Sequence, residues 1–243
     1  MSTTNTPAGP TGTGSTSTDS TSTDSNKTPT TTTDPTASTR RGSIRASGSL
    51  MGWRTVDLLT VAFLGAAFGI AYWGWGLAYA APAEGLGAIF PPLQGITGAP
   101  WLMAGVVGGL VIRRPGAALM CEVVAALVSM LPGTKWGAST MISGILQGLG
   151  AEIAFLVLGY AAFGLAAAVL AGALSAPLEA LYEWGTYWTD WGMDYKVVYA
   201  VILTVAGAVI AGGVGWLLTQ ALARAGALGA FPVGQEARET RAV

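Results

Sequence analysis

Apolar residues run almost without interruption from Val56 to Ala223, and polar residues hold both ends of the chain. The apolar stretch is broken only by glycine, proline and a few charges. No soluble domain has room to bury that much apolar surface, whereas a bilayer does. A spanning helix needs about 20 apolar residues, and the pattern supplies six candidates. The first runs from about Thr55 to Ala80. Ala81 to Gly98, with Glu84, Pro91, Pro92 and Gln94, is too broken for a plain span and reads as a long loop with a short re-entrant piece. The second helix starts between Gln94 and Trp101 and ends at Ile112, before Arg113-Arg114-Pro115. The third begins with Pro115 in its first turn, where a missing N–H costs nothing, and stops at Pro132-Gly133. The fourth spans about Ser139 to Gly159, the fifth Phe163 to Trp184 and the sixth Lys196 to Ala223. An aromatic and acidic loop, Gly185 to Tyr195, separates the last two. The expectation is an all-α integral membrane protein with about six transmembrane helices. Residues 1-50 form a disordered Thr/Ser-rich tail, 51-223 the spanning domain and 224-243 a short polar tail.

Composition agrees. The chain is 51% hydrophobic and 10% charged, with no histidine, against about 25% charged in a soluble domain. Met1 to Ser49 has too few large apolar residues to bury a core. With no apolar run near its start it is not a signal peptide. The net charge of -1 says little, but its distribution says more. With the N-terminus in the cytoplasm, Arg40, Arg41, Arg45, Arg54, Arg113, Arg114, Arg224, Arg238 and Arg241 all lie inside after an even number of crossings. Only Lys135 and Lys196 fall outside. This positive-inside bias predicts that both termini are cytoplasmic. It keeps the Asn26-Lys27-Thr28 sequon inside and puts Trp184, Tyr187, Trp188 and Trp191 in an outer aromatic belt. Arg40-Arg41-Gly42-Ser43 would suit a kinase but reads more simply as a basic stretch beside the membrane. Cys121 has no internal partner and reads as a small buried hydrophobe.

Several chemistries are excluded. One cysteine and no histidine leave no metal-ligand cluster. No phosphate-binding loop, histidine-assisted nucleophile or paired intramembrane aspartate is present, so neither ATP hydrolysis nor membrane proteolysis is expected, and no cofactor. What remains is polar groups inside the spans. Glu122 lies mid-way along the third helix, Gln147 and Glu152 in the fourth. A charge at the bilayer centre costs roughly 2.5–3.5 kcal/mol on insertion scales, so such residues face a cavity or a partner. No Lys or Arg lies within the helices to neutralise them. At about 1.5 Å per residue, Glu122 and Glu152 reach similar depths on helices of opposite direction. Two readings stay open: the acids lock helices together, or they form the floor of an outward-opening pocket. Gln147 lies about five residues nearer the outside, and Trp136, Glu84, Glu179, Tyr182 and Glu183 lie nearer still, as wall candidates. Trp73, Trp75, Tyr79, Trp101 and Trp136 gather near outer helix ends, as interfacial anchors or stacking platforms for a flat ring. On the first helix Ala62/Ala66, Gly65/Gly69 and Ala67/Ala71 stand four apart, a spacing that allows close helix approach in lipid.

Two stretches carry a resemblance. They are Arg113-Arg114-Pro115-Gly116-Ala117-Ala118-Leu119 with Glu122-Val123-Val124-Ala125-Ala126, and Ser143-Gly144-Ile145-Leu146-Gln147-Gly148-Leu149-Gly150-Ala151-Glu152. Together they resemble the YkoE-type S components of energy-coupling factor (ECF) transporters, over about Thr55 to Ala223. The resemblance implies a six-helix bundle that captures thiamine or its hydroxymethylpyrimidine precursor from outside. It implies a transmembrane coupling (T) subunit and two cytoplasmic ABC ATPases as partners, with no nucleic acid. It implies that the Ala62, Ala66, Ala67 and Ala71 face of the first helix docks the coupling subunit, and that Ala81 to Gly98 lids the pocket. Glu122 and Gln147, from the matched segments, are the leading substrate-binding candidates. Trp136, Glu84, Glu152, Glu179, Tyr182 and Tyr79 join them by position. The competing reading is a stand-alone membrane carrier or structural membrane protein without ATPase partners.

Overall fold

A computed structural model describes residues 43–242, and every regular element among them is helical. The expectations for residues 1–42, including tail disorder, the Asn26 sequon and the Arg40-Arg41 pair, lie outside the described residues. In chain order the helices are α1 (Thr55–Ala78), α2 (Ala80–Ile89), α3 (Pro91–Ile112), α4 (Ala117–Met130), α5 (Ser139–Val157), α6 (Leu165–Thr186), α7 (Met193–Arg224) and α8 (Pro232–Arg241). Five of them, α1, α3, α5, α6 and α7, are long and apolar enough to cross a membrane. The apolar α4 is shorter and completes six antiparallel passes.

The broken stretch after α1 is more ordered than expected. Ala80–Ile89 is a helix, and α3 starts ten residues before the latest predicted start. Pro91, Pro92 and Pro100 withhold backbone N–H groups, so α3 opens with 3₁₀ turns at Pro91–Gln94 and Ala99–Leu102 before becoming regular at Met103. Pro115 does not start α4; Arg113 (φ 58°) and Gly116 (φ 87°) take left-handed turns around it, and α4 begins at Ala117. α7 changes to π geometry over Gly207–Val214.

Small residues set the packing. Alanines 151, 154, 167, 168, 171, 176 and 180 fill the core that α5 and α6 share. At Gly150 a methyl group would come within 2.3 Å of the Leu174 carbonyl oxygen, so only glycine admits that crossing. On α1, Gly65 and Gly69 face inward, where an added Cβ would lie 2.6 Å from Val124 and Val128 respectively.

One end of the bundle is closed by buried charge. With 14 residues, α4 is only about 21 Å long, roughly 9 Å short of the hydrocarbon thickness. Arg113 and Arg114, just before its start, are covered by other segments of the chain, and both are 1% exposed. Arg114 Nε donates to Asp57 at 2.8 Å, and its other nitrogens donate to the Ser49 and Ser47 carbonyls. The fully buried Asp57 also accepts from the Arg54 side chain and N–H, which fixes the start of α1. Arg113 forms a two-pronged pair with Glu236 at 2.6 and 2.7 Å and lies over the Phe163 ring at 4.8 Å. The Ile44 N–H donates to the same Glu236, and the Phe163 N–H donates to Ser43 Oγ.

Both predicted tail boundaries move in consequence. Residues 43–50 are seated on the bundle, and 224–243 is not simply a polar tail. Phe231, Pro232, Val233 and Gly234 are buried, and Pro232–Arg241 is a docked helix.

Glu152 belongs to this closed end. Its carboxylate accepts from the N–H groups of Gly116 (2.6 Å), Ala118 (3.0 Å) and Leu119 (3.3 Å), the orphan donors at the start of α4. The Tyr160 hydroxyl donates to the same group. Burial, reinforced by this carboxylate, pushes the Tyr160 hydroxyl pKa up, so it stays a donor.

Asp57→Ala leaves the Arg114 guanidinium buried without its anion. It is expected to lower stability by about 3–5 kcal/mol, read as a fall in thermal midpoint in detergent. Glu236→Ala should cost less, because Glu236 retains 28% exposure. Glu152→Gln removes a charged cap and is expected to cost about 0.5–2 kcal/mol by the same measurement.

Candidate functional site

At the opposite end of the bundle, among α2, the α4–α5 loop and the α6–α7 loop, opens a cavity of about 830 Å³. Its volume lies within the range of small-molecule sites. Four acidic side chains line it, Glu84, Glu122, Glu179 and Glu183, against one basic side chain, Lys135.

The floor is built by α4, α5 and α6. Glu122 is 1% exposed, and its Oε2 accepts the Gly105 N–H at 2.6 Å. That bond turns the carboxylate toward α3, and the other oxygen, Oε1, is buried without a partner. Glu179 and Glu183 stand one turn apart on α6, so both reach the cavity. Pro177, two residues before Glu179, removes one backbone hydrogen bond from α6 just below this pair. Glu179 Oε2 is also buried without a partner. Glu183 is held by the Tyr199 hydroxyl, which donates to it. Gln147, Ser143 and Thr140 on α5 complete the floor, and Thr140 Oγ1 is a further unanswered buried atom. A buried polar group without a partner costs about 1–3 kcal/mol. Several clustered in one cavity mark it as shaped for something that answers them.

Two aromatic walls rise from this floor. On one side Tyr79, Trp101 and Trp136 meet with ring centroids 5.2–5.3 Å apart. The Trp101 indole donates to the Tyr72 carbonyl at 3.3 Å, and the Tyr72 hydroxyl accepts the Ala104 N–H at 2.7 Å, so α1 and α3 hold the wall together. Gly76 leaves room behind it, with Trp136 at 3.5 Å from where a Cβ would stand. On the other side lie Trp188 and Tyr199, 5.5 Å apart, and the indole N–H of Trp188 is unpartnered.

Of the substrate-binding candidates read from the sequence, Glu122, Gln147, Trp136, Glu84, Glu179 and Tyr79 line the cavity. Two do not. Glu152 is five residues from Gln147, which turns it to another face of α5, and it caps α4 at the closed end. It therefore neither pairs with Glu122 nor shares its floor. Tyr182 is turned away and packs on Tyr187 at 6.4 Å. Glu183, read from the sequence as a wall candidate, also lines the cavity; Trp188, Tyr199 and Thr140 line it too and were not among the site candidates. Among the described residues no cluster of His, Cys, Asp or Glu is arranged to hold a metal ion.

Known proteins share this architecture. Residues 56–178 match the family described as the ABC-type cobalt transport system, permease component. The Bacillus subtilis protein YkoE, which carries the name HMP/thiamine permease, is 30% identical over 195 residues, covering 79% of this chain and 96% of the relative. A crystal structure of an S-component of an ECF transporter superimposes with a TM-score of 0.66 at 27% identity, covering 78% of this chain and 95% of the other. With six antiparallel passes, a polar cavity at one end and these matches, the chain is a multi-pass membrane protein that belongs to the YkoE-type S-component family of ECF transporters.

Proposed function

We propose that this chain captures thiamine or its hydroxymethylpyrimidine precursor from outside the cell and presents it for ATP-driven uptake by partner subunits. The observation that carries this reading is the pairing of aromatic walls with unanswered carboxylate oxygens on Glu122 and Glu179. An aminopyrimidine offers an amino group to such acceptors, and its flat face stacks on indole and phenol rings. Thiamine adds a permanently charged thiazolium, which gains about 0.5–2 kcal/mol from each well-placed aromatic face. The name of the Bacillus subtilis relative points to the same compounds.

In this reading the cavity faces outward and both termini are cytoplasmic, in line with the excess of arginine at the closed end. The chain has no nucleotide-binding motif of its own, so the energy comes from two ABC ATPases through a transmembrane coupling subunit. The docking face is the outward stripe of α1. Ala62, Ala67 and Ala71 are exposed and Ala66 is half-buried. Gly65 and Gly69, by contrast, are committed to α4.

Calorimetric titration of the purified protein with thiamine and with hydroxymethylpyrimidine is expected to give saturable binding of at least one. A folded protein that binds neither sinks the substrate assignment. Glu122→Gln is expected to weaken the bound ligand about tenfold or more, the scale of a hydrogen bond to a charged group, while the thermal midpoint without ligand holds. Ala66→Leu should lower uptake in cells and leave binding intact. Unchanged uptake, or purification from native membranes without ATPases, would count against docking and favour a stand-alone carrier.

A further inference from the structure

Lys135 is the one basic side chain on the cavity wall, and it does not reach for an acid. Its ammonium lies 4.6 Å from the Tyr79 ring centroid and 5.0 Å from that of Trp136. Those two rings belong to the aromatic wall on which a flat cation would stack. A cation position on that wall is thus filled by the chain itself. Lys135 itself is exposed on the loop between α4 and α5, so its side chain can leave the rings without the backbone moving. Gly133 (φ 94°) and Gly137 (φ 55°) flank Thr134-Lys135-Trp136 in left-handed conformations, and nothing lies within 4 Å of where their Cβ atoms would be. Both glycines thus turn the chain between the end of α4 and the start of α5 and leave open space around Lys135. Two cations cannot stand at the same place over one aromatic face, and Lys135 is exposed, so its ammonium can move out into water when another cation takes the face.

We propose that Lys135 is a built-in competitor, a stand-in cation that occupies the Tyr79–Trp136 face in the empty protein and that a positively charged ligand must displace. This rests on the reading of the cavity as the ligand site. It assigns Lys135 a role in specificity, setting the affinity for charged rings without altering that for uncharged ones. An incoming cation gains the aromatic face only after the ammonium has left it. A neutral ring that binds on the acidic floor or the Trp188 wall leaves Lys135 in place.

The test compares the full-length wild type, Lys135→Gln and Lys135→Arg by quenching of tryptophan fluorescence. The probes are 1-methylnicotinamide, a permanently charged ring, and nicotinamide, its uncharged counterpart, with thiamine titrated in parallel. Lys135→Gln is expected to bind the charged probe about 2- to 5-fold more tightly than wild type, the fold-change equivalent of the exposed cation–aromatic contact it vacates. Its affinity for nicotinamide should not change. Lys135→Arg, which keeps a cation over the rings, should behave as wild type. Equal affinities in wild type and Lys135→Gln overturn the proposal. So does weaker binding of the charged probe, which would make Lys135 a group that assists binding, or an equal gain for both probes, which would make it a steric plug. The vitamin reading fails separately. A Lys135→Gln gain for the charged probe in a protein that ignores thiamine and hydroxymethylpyrimidine removes the substrate assignment and leaves the competitor standing.

Discussion

A charge withdrawn from water must be answered by another charge or by aligned hydrogen bonds, and the two ends of this molecule meet that demand in opposite ways. At the closed end it is met in full. Arg114 has Asp57, Arg113 has Glu236, and Glu152 has three backbone N–H groups and a phenol. Each pair joins segments distant in sequence, so electrostatic compensation here also ties the chain's first described residues and its C-terminal helix to the bundle. The burial of the arginine loop under those segments makes this necessary.

At the open end compensation is withheld. Glu122 and Glu179 each keep an oxygen with no partner, and Glu183 has only the Tyr199 hydroxyl. A fold optimised only for stability would have neutralised or replaced them. Their survival is a cost that a ligand can repay, and the tightly tied opposite end offsets it in the stability of the fold. The alanine-rich α5–α6 core serves the same end. Side chains with almost no rotamer freedom hold the backbones close, so the acids are positioned by stiff helices rather than by loops.

The six passes were legible in the sequence because apolar length is a one-dimensional property. So was the acidic character of the interior, since an acid inside a span has few innocuous explanations. Partner choice was not legible. Arg113 and Arg114 read only as signals of the cytoplasmic side, yet their anions come from Asp57, a lone acid at the start of the first span, and Glu236, in a stretch that looked like polar tail. No periodicity links residues so far apart. Glu152 shows a different failure. Its motif is shared with Gln147, but five residues of helix separate two faces, and depth alone put it near Glu122. Trp188 read as interfacial belt because an amphipathic ring suits a membrane boundary and a cavity rim equally well.

The π stretch of α7 has a consequence for how this helix can vary. Over Gly207–Val214 the wider turn breaks the angular bookkeeping that relates residues on either side. Tyr199 and Leu203 are aimed at the cavity by one phase, and Gly215 and Thr219 are buried in another. The last span is therefore two helices that share an axis but not a rotational origin. A substitution within either half stays local, whereas gaining or losing one residue at the junction would rotate the half that holds the Glu183 partner against the half that seals the bundle.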